Sequence, residues 1–303
     1  MRPEAYVAVV GAVNVDLWGR SAGALTARDS NPGTVGFSLG GVGRNIAHNL
    51  RLLEVPVGLL TAIGGDVWAG QIEASCDALG IDLSHALRLP DCRTGAYLAI
   101  AGPDGDMALA VCDTDIAERI TPAVLETRLD WLNGAAAVVF DGNLSPETAG
   151  YLAEHCTAPL FADPVSVAKA RRLLPALPHL RCLKPNRLEA EALTGEADPL
   201  RAAEALRNMG VQQVFVSDGA GGLALADGNG SRHVPCYPTR LVNATGGGDS
   251  AMAALVRAFL DGQDSLRAAR FALAAGAIAV ESPETVNPAL SLRSIEERMC
   301  NQQ

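Results

Sequence analysis

Short, uninterrupted apolar runs recur along the chain. They alternate with longer segments whose apolar positions repeat every three or four residues. The runs Val7–Val10, Val57–Ala62, Ala136–Phe140, Leu160–Ala162, Cys182–Lys184, Val214–Ser217 and Leu223–Ala226 predict strands. Several lack polar alternation, the pattern of parallel strands covered on both faces. Helical periodicity predicts helices over Gly43–Leu53, Gly70–Leu79, Pro122–Asn133, Pro146–His155, Arg187–Leu193, Leu200–Met209, Gly248–Leu260 and Leu266–Glu281. Strand–helix alternation predicts an α/β fold, a doubly wound and mostly parallel sheet with helices on both faces.

Two segments break the rhythm. Asn14–Phe37 carries polar residues and turns, and Tyr97–Val111 reads as two short strands around Gly102-Pro103-Asp104-Gly105. Neither predicts a helix. Together, over about 14–37 and 93–113, they predict a small β lid on the edge of the sheet. With no repeat, low-complexity tract or Pro/Ser-rich linker, residues 1–303 are expected to form one domain carrying that lid.

Composition narrows the chemistry. Of the 303 residues, 49% are hydrophobic and 19% charged, as in a globular protein. The net charge of −10 argues against a broad polyanion-binding surface, so nucleic acid is not an expected partner. The seven cysteines form no CxxC pair and suit neither a zinc site nor a disulfide framework, which predicts reduced thiols and a cytoplasmic protein. Glu4 precedes the first strand without a basic leader, and no apolar stretch predicts a membrane span.

The sharpest local signal is Asn243-Ala244-Thr245-Gly246-Gly247-Gly248-Asp249, which opens a helix. Consecutive glycines can turn their N–H groups one way, and the helix start adds free amides and a positive dipole end, so Gly246–Gly248 can form an anion hole. A carboxylate beside it would repel a bound phosphate, but it is well placed to take a proton from an attacking hydroxyl. Phosphoryl transfer needs that pairing. On the loop alone, a glycine turn with Asp249 as a helix cap stays open. The chain has no GxxxxGK[ST] and no GxGxxG after its first strand.

Gly40-Gly41-Val42-Gly43-Arg44-Asn45 opens the first helix, and Asn14 and Asp16 follow the first strand, at the edge where doubly wound sheets place ligands. Their side chains suit a vicinal diol; a tight helix entry and a turn are the plainer alternative. Asn186 and Glu189 form a capping-box pattern or, beside a triphosphate, a site where Glu189 orders a water on magnesium.

These motifs, taken in order, resemble the ribokinase-like (PfkB) carbohydrate kinases over nearly the full length. Gly40-Gly41 with Asn45, Asn186–Glu189 and Gly246–Asp249 carry the resemblance. It implies an α/β sandwich with a β lid, ATP with Mg²⁺ as donor and Asp249 as base. It implies an ATP site including Asn186, Ser217, Gly219, Gly222, Thr245 and Gly248, and an acceptor site of Asn14, Asp16, Gly40, Gly41, Gly43 and Asn45. The runs Asp29–Gly33, Gly40–Ala47, Asp163–Ser166, Leu183–Glu191 and Asn287-Pro288 are similar to the branch of this family that phosphorylates pseudouridine. That implies Asp29, Ser30 and Asn31 as readers of the base, and a homodimer joined through the lid. Lys169 would face either a phosphate or solvent.

Two positions depart from the family pattern. Gly247 stands where alanine is usual, which loosens the anion hole. Asn243 stands where aspartate is usual, at a position that in many members lies near a monovalent cation, so Asn243 is a candidate potassium ligand. The rivals are a kinase for uridine, another nucleoside, ribose or fructose 6-phosphate, and a non-catalytic nucleoside-binding protein. Before the first helix only Arg20 and Arg28 offer positive charge in the lid, with Arg44 at the helix start, which favours an uncharged nucleoside over a sugar phosphate.

Overall fold

The computed structural model describes residues 5–300; Glu4, ahead of the first strand, lies outside them. The main sheet runs Gly230–Val234, Leu223–Asp227, Gln213–Ser217, Leu180–Leu183, Leu160–Asp163, Ala137–Asp141, Val7–Val10, Val57–Leu60, Ile81–Asp82. All neighbours from Gln213–Ser217 to Ile81–Asp82 pair in parallel, and a final antiparallel meander closes the other edge.

Alternate residues of these strands feed two cores, which explains the unbroken apolar runs. Val7, Val9, Leu59, Val139, Phe161 and Phe215 face the helices Val42–Leu52, Gly247–Leu260 and Ser265–Ala279. Ala8, Val10, Leu60, Val138, Phe140 and Val216 face the opposite layer, which includes Pro146–His155 and Pro199–Asn208. The doubly wound, two-faced sheet expected from the sequence is the observed one.

Local differences have local causes. The run Val57–Ala62 is two strands, Val57–Leu60 and Ala62–Gly64. At Thr61, whose carbonyl accepts from the Leu87 amide, the chain leaves the main sheet to pair with Leu87–Leu89. The helix expected over Pro122–Asn133 is broken into Pro122–Glu126 and Leu129–Gly134. There the Val124 carbonyl is taken by the Thr127 hydroxyl and the Arg128 guanidinium. The helix Leu292–Cys300 lies beyond the predicted series, although Leu292, Ile295 and Met299 recur at helical spacing and pack on the core; Ile295 is its one fully buried side chain.

The second sheet is ordered Gly33–Gly40, Asn14–Ser21, Gly95–Ala101, Met107–Asp113. Both anomalous segments are therefore strands without helix, and the first hairpin continues past Phe37 to Gly40. The turn at Gly102–Gly105 forms as predicted, with the Gly105 amide donating to the Gly102 carbonyl. No helix of the described residues is long and apolar enough to cross a membrane, and all seven cysteines are free.

Candidate active site

Three neighbouring strands end on charge. Asp141 and Asp163 lie opposite each other in register, and Lys184 follows directly after Leu183. All three are buried at the carboxyl ends of the parallel strands, where open α/β sheets bind ligands. A separate cleft of about 500 Å³, lined by Tyr6, Arg51, His85 and Trp131, opens at the opposite, amino ends and holds none of the residues discussed below.

Asp141 acts as a staple. Its Oδ2 accepts from the amides of Ala12 (2.9 Å) and Gly43 (3.0 Å), and its Oδ1 from the Asn143 amide (2.9 Å). The helix bearing Asn45 is thereby tied to the end of the first strand. Gly43 is required here, because a Cβ would come within 2.8 Å of Gly11 backbone. Asp163 accepts from the Val165 amide and pairs with Lys184 Nζ at 3.1 Å.

The glycine loop enters its helix through Gly246, the N-cap, at φ 85°. A side chain there would strike the Thr285 carbonyl, so the backbone demands glycine. The first helical turn closes with the Ser250 amide donating to the Gly246 carbonyl. The amides ahead of it have no partner within the helix and are available to an anion. At Gly247, the alanine usual in the family would press on Val280 Cγ1 at 3.0 Å.

Asp249 lies in the first turn but does not cap it, which removes the plainer alternative. Its hydrogen-bond partner is Asn45, whose Nδ2 donates to Oδ2 at 3.0 Å across 204 positions of sequence. Burial raises the Asp249 pKa to about 7, with the charges of Asp163 and Asp141 adding to the rise and Asn45 and Lys184 opposing it. A carboxyl titrating there suits general base chemistry at neutral pH.

Asn45 also presents a buried Oδ1 without a partner, and so does Asn14. Unpaired buried acceptors are costly, and they fit a ligand that brings hydroxyl donors. Asp16 shares the lid face of Asn14 and packs against Gly40. Burial raises its pKa to about 6 against the opposing pull of Arg44. Arg44 donates to the Leu39 carbonyl (2.8 Å) and Ser75 Oγ (3.0 Å), joining lid, first helix and second helix. Gly41 begins the first helix at φ 95°. Asn14 and Asp16 thus meet the strand that leads through Gly40 and Gly41 into the helix carrying Gly43 and Asn45, and Asn45 reaches Asp249.

The second group of expected residues lines the neighbouring strand ends. Asn186 and Glu189 form a complete capping box, each side chain bonded to the other's amide at 2.9 Å. The capping reading is therefore correct as structure. Glu189 is nonetheless buried, and its pKa is raised by that burial and by the charge of Asp163, against Lys184. Ser217 bridges to Asn186, and Gly219 and Gly222 adopt positive φ in the turn that follows. Asn243 accepts from the Thr245 amide and donates to the Pro283 carbonyl, bracing the entry to the glycine loop. Among the described residues no three metal-ligating side chains converge, so Mg²⁺ fits here only as an ion held through phosphate oxygens and waters, with Glu189 supplying a hard oxygen acceptor.

Asp29, Ser30 and Asn31 do not join this cluster. They are exposed at the tip of the lid hairpin, where Asn31 Nδ2 donates to the carbonyls of Thr26 and Asp29 and Asp29 Oδ1 accepts from the Ser30 amide. Lys169 donates to Asn143 and Thr114 at the edge of the site.

A profile described as pfkB family carbohydrate kinase matches residues 4–292. The chain belongs to the PfkB family of carbohydrate kinases. It is 34% identical over 302 residues to the pseudouridine kinase of Escherichia coli, covering 97% of this chain and 96% of that protein. It is 38% identical over 295 residues to an uncharacterised sugar kinase of Escherichia coli, covering 94% and 81%. A carbohydrate kinase from Agrobacterium tumefaciens superimposes with a TM-score of 0.88 at 29% identity, over 98% and 97% of the two chains. As a PfkB kinase the protein is an ATP-dependent phosphotransferase with an alcohol acceptor.

Asp141, Asp163 and Lys184 are the buried members of this site that motif reading passed over. A signal existed: three apolar strands each finish on a charged residue, -Val-Val-Phe-Asp141, -Phe-Ala-Asp163 and -Cys-Leu-Lys184.

Proposed function

We propose that this PfkB kinase phosphorylates the 5′-hydroxyl of pseudouridine, giving pseudouridine 5′-phosphate. The observation that carries this reading is the end-to-end 34% identity to a pseudouridine kinase. The unpartnered Asn14 and Asn45 oxygens support it, since a ribose offers the hydroxyl donors they lack.

In this reading Asn14, Asp16, Gly40, Gly41, Gly43 and Asn45 hold the ribose, and Asn45 also aims the Asp249 carboxylate. Asp249 accepts the proton of the 5′-hydroxyl as that oxygen attacks. The amides of Gly246, Gly247 and Gly248 meet the charge that develops on the transferred phosphoryl group. Asn186, Ser217, Gly219, Gly222, Thr245 and Gly248 hold ATP. Glu189 would hold a magnesium ion through water, and the ion would neutralise phosphate charge. Asn243 is the candidate ligand of a potassium ion near the loop, through its side-chain carbonyl.

Asp29, Ser30 and Asn31 read the base once the lid folds over the acceptor. The register puts Leu17, Val35, Phe37, Leu98, Leu109 and Val111 on the lid face opposite Asn14 and Asp16. Val35 is 83% exposed and Leu109 59%. A homodimer joined lid to lid would cover this apolar face.

The test is ADP release with MgATP and a panel of pseudouridine, uridine, cytidine, adenosine, ribose and fructose 6-phosphate. Preference for pseudouridine is the expected outcome. Preference for uridine, another nucleoside or a sugar would keep the kinase and discard Asp29–Asn31 as readers of this base. ATP binding without turnover on any acceptor would favour a nucleoside-binding role.

A further inference from the structure

The floor of the site carries four buried carboxylates, Asp141, Asp163, Glu189 and Asp249, and one buried ammonium, Lys184, which is 4% exposed. So many anions beside a phosphate-binding loop would oppose the ligand unless one of their charges were offset. Lys184 is placed to offset it. Its Nζ is 3.1 Å from Asp163 Oδ2 and would lie 3.3 Å from a Cβ added to Gly248, against the glycine-loop backbone.

The partner of Lys184 is itself aimed. Asp163 Oδ1 accepts from the Val165 amide, and Val165 holds φ 71°, a conformation β-branched residues rarely adopt. With Oδ1 held by that amide, Oδ2 is the oxygen that meets Lys184. Burial works to lower the Lys184 pKa, but Asp163, Glu189 and Asp249 outweigh it, and the net displacement is upward, so the ammonium keeps its proton.

We propose that Lys184 is a positioning residue: braced by Asp163, it favours the ionised form of Asp249 and supplies fixed positive charge beside the glycine loop. This rests on the base reading of Asp249 given above. The groups that face Asp249 are Asp163 and Asp141 from their strand ends, Lys184 from the segment after Leu180–Leu183, and the Asn45 amide from the first helix. Removing the one cation should therefore raise the pH at which Asp249 ionises, and removing Asp163 should lower it.

The experiment measures kcat/KM against pH in wild type, Lys184→Gln, Lys184→Arg and Asp163→Asn. In parallel, ¹³C NMR follows the aspartate carboxyl resonance that disappears in Asp249→Asn. Lys184→Gln should move the acid limb and the resonance midpoint up by about one pH unit or more. Asp163→Asn should move both down, and Lys184→Arg should restore most of the wild-type profile. A purely structural lysine would lower thermal stability and plateau rate while leaving limb and midpoint in place, and that result overturns the proposal. If Lys184→Gln does not fold, a midpoint in Asp163→Asn that stays put or rises overturns it equally. Midpoints that shift as expected in an enzyme indifferent to Asp249→Asn would retire the base assignment and leave the control of ionisation standing.

Discussion

The strand-end cluster and the lid both carry residues singled out by their chemistry, yet they are built in opposite ways. At the strand ends three buried carboxylates are tied to distant elements: Asp249 to Asn45, Asp141 to Ala12 and Gly43, Asp163 to Lys184. In the lid hairpin, Asp29, Ser30 and Asn31 are exposed and bonded to immediate neighbours. The first arrangement fixes geometry, and its burial raises the pKa values of Asp249 and Asp141. The second holds a local shape whose bonds reach no other element.

The sharpest way to break this contrast is Asp249→Asn. It should fold, bind both substrates and lose about three orders of magnitude or more in kcat, read by ADP release. Near-wild-type turnover would show that the buried cluster is scaffolding. Gly246→Ala attacks the same cluster through the backbone. Its left-handed φ and the Thr285 carbonyl leave no room for a methyl group. The loop should rearrange, with a loss of about 10²-fold in kcat, comparable to removing an anion-hole donor, and a lowered Tm.

Next in size is pH. Because Asp249 titrates at about 7, kcat/KM should fall about tenfold per pH unit on the acid side of that value. The stability effect has the opposite sense. A carboxyl whose folded pKa is raised favours the fold while protonated. That contribution is complete below about pH 4, the unfolded carboxyl value, and is lost as pH rises through about 7. Asp249→Asn should therefore exceed the wild-type Tm at pH 8, with the margin shrinking toward pH 5 in thermal scans. A margin that grows toward low pH would contradict the buried, reluctant carboxylate described here.

The smallest effect belongs to the lid. Asn31→Ala removes side-chain bonds at an exposed tip. It should leave kcat within about twofold and raise the acceptor KM by about two- to tenfold, the worth of one or two hydrogen bonds. A change in kcat as large as that from Gly246→Ala would place the tip among the rigid catalytic parts.

Much of this was legible in the sequence because the signals were local. Val7–Val10 and Phe140 had to be strand and core, since continuous apolar runs between amphipathic helices fit a sheet covered on both faces. Gly246–Asp249 announced a helix start through a glycine run whose first member, Gly246, takes the left-handed conformation. The capping box at Asn186 and Glu189 was readable down to its bonds. Less legible were the breaks at Thr61 and Thr127, where one hydroxyl or carbonyl finds a partner outside its own element.

What sequence by itself determined is the layered fold, the second small sheet and the glycine loop that opens a helix, because periodicity and backbone permissiveness are properties of neighbouring residues. What only the tertiary structure decided is the electrostatics. Asp141, Asp163 and Lys184 end three separate strands, and nothing in their own segments says that they meet, or that Asn45 meets Asp249 across 204 residues. Parallel pairing brings those ends side by side and burial removes their water. A charge acquires its pKa from what surrounds it in space, and the order of residues along the chain does not specify those surroundings.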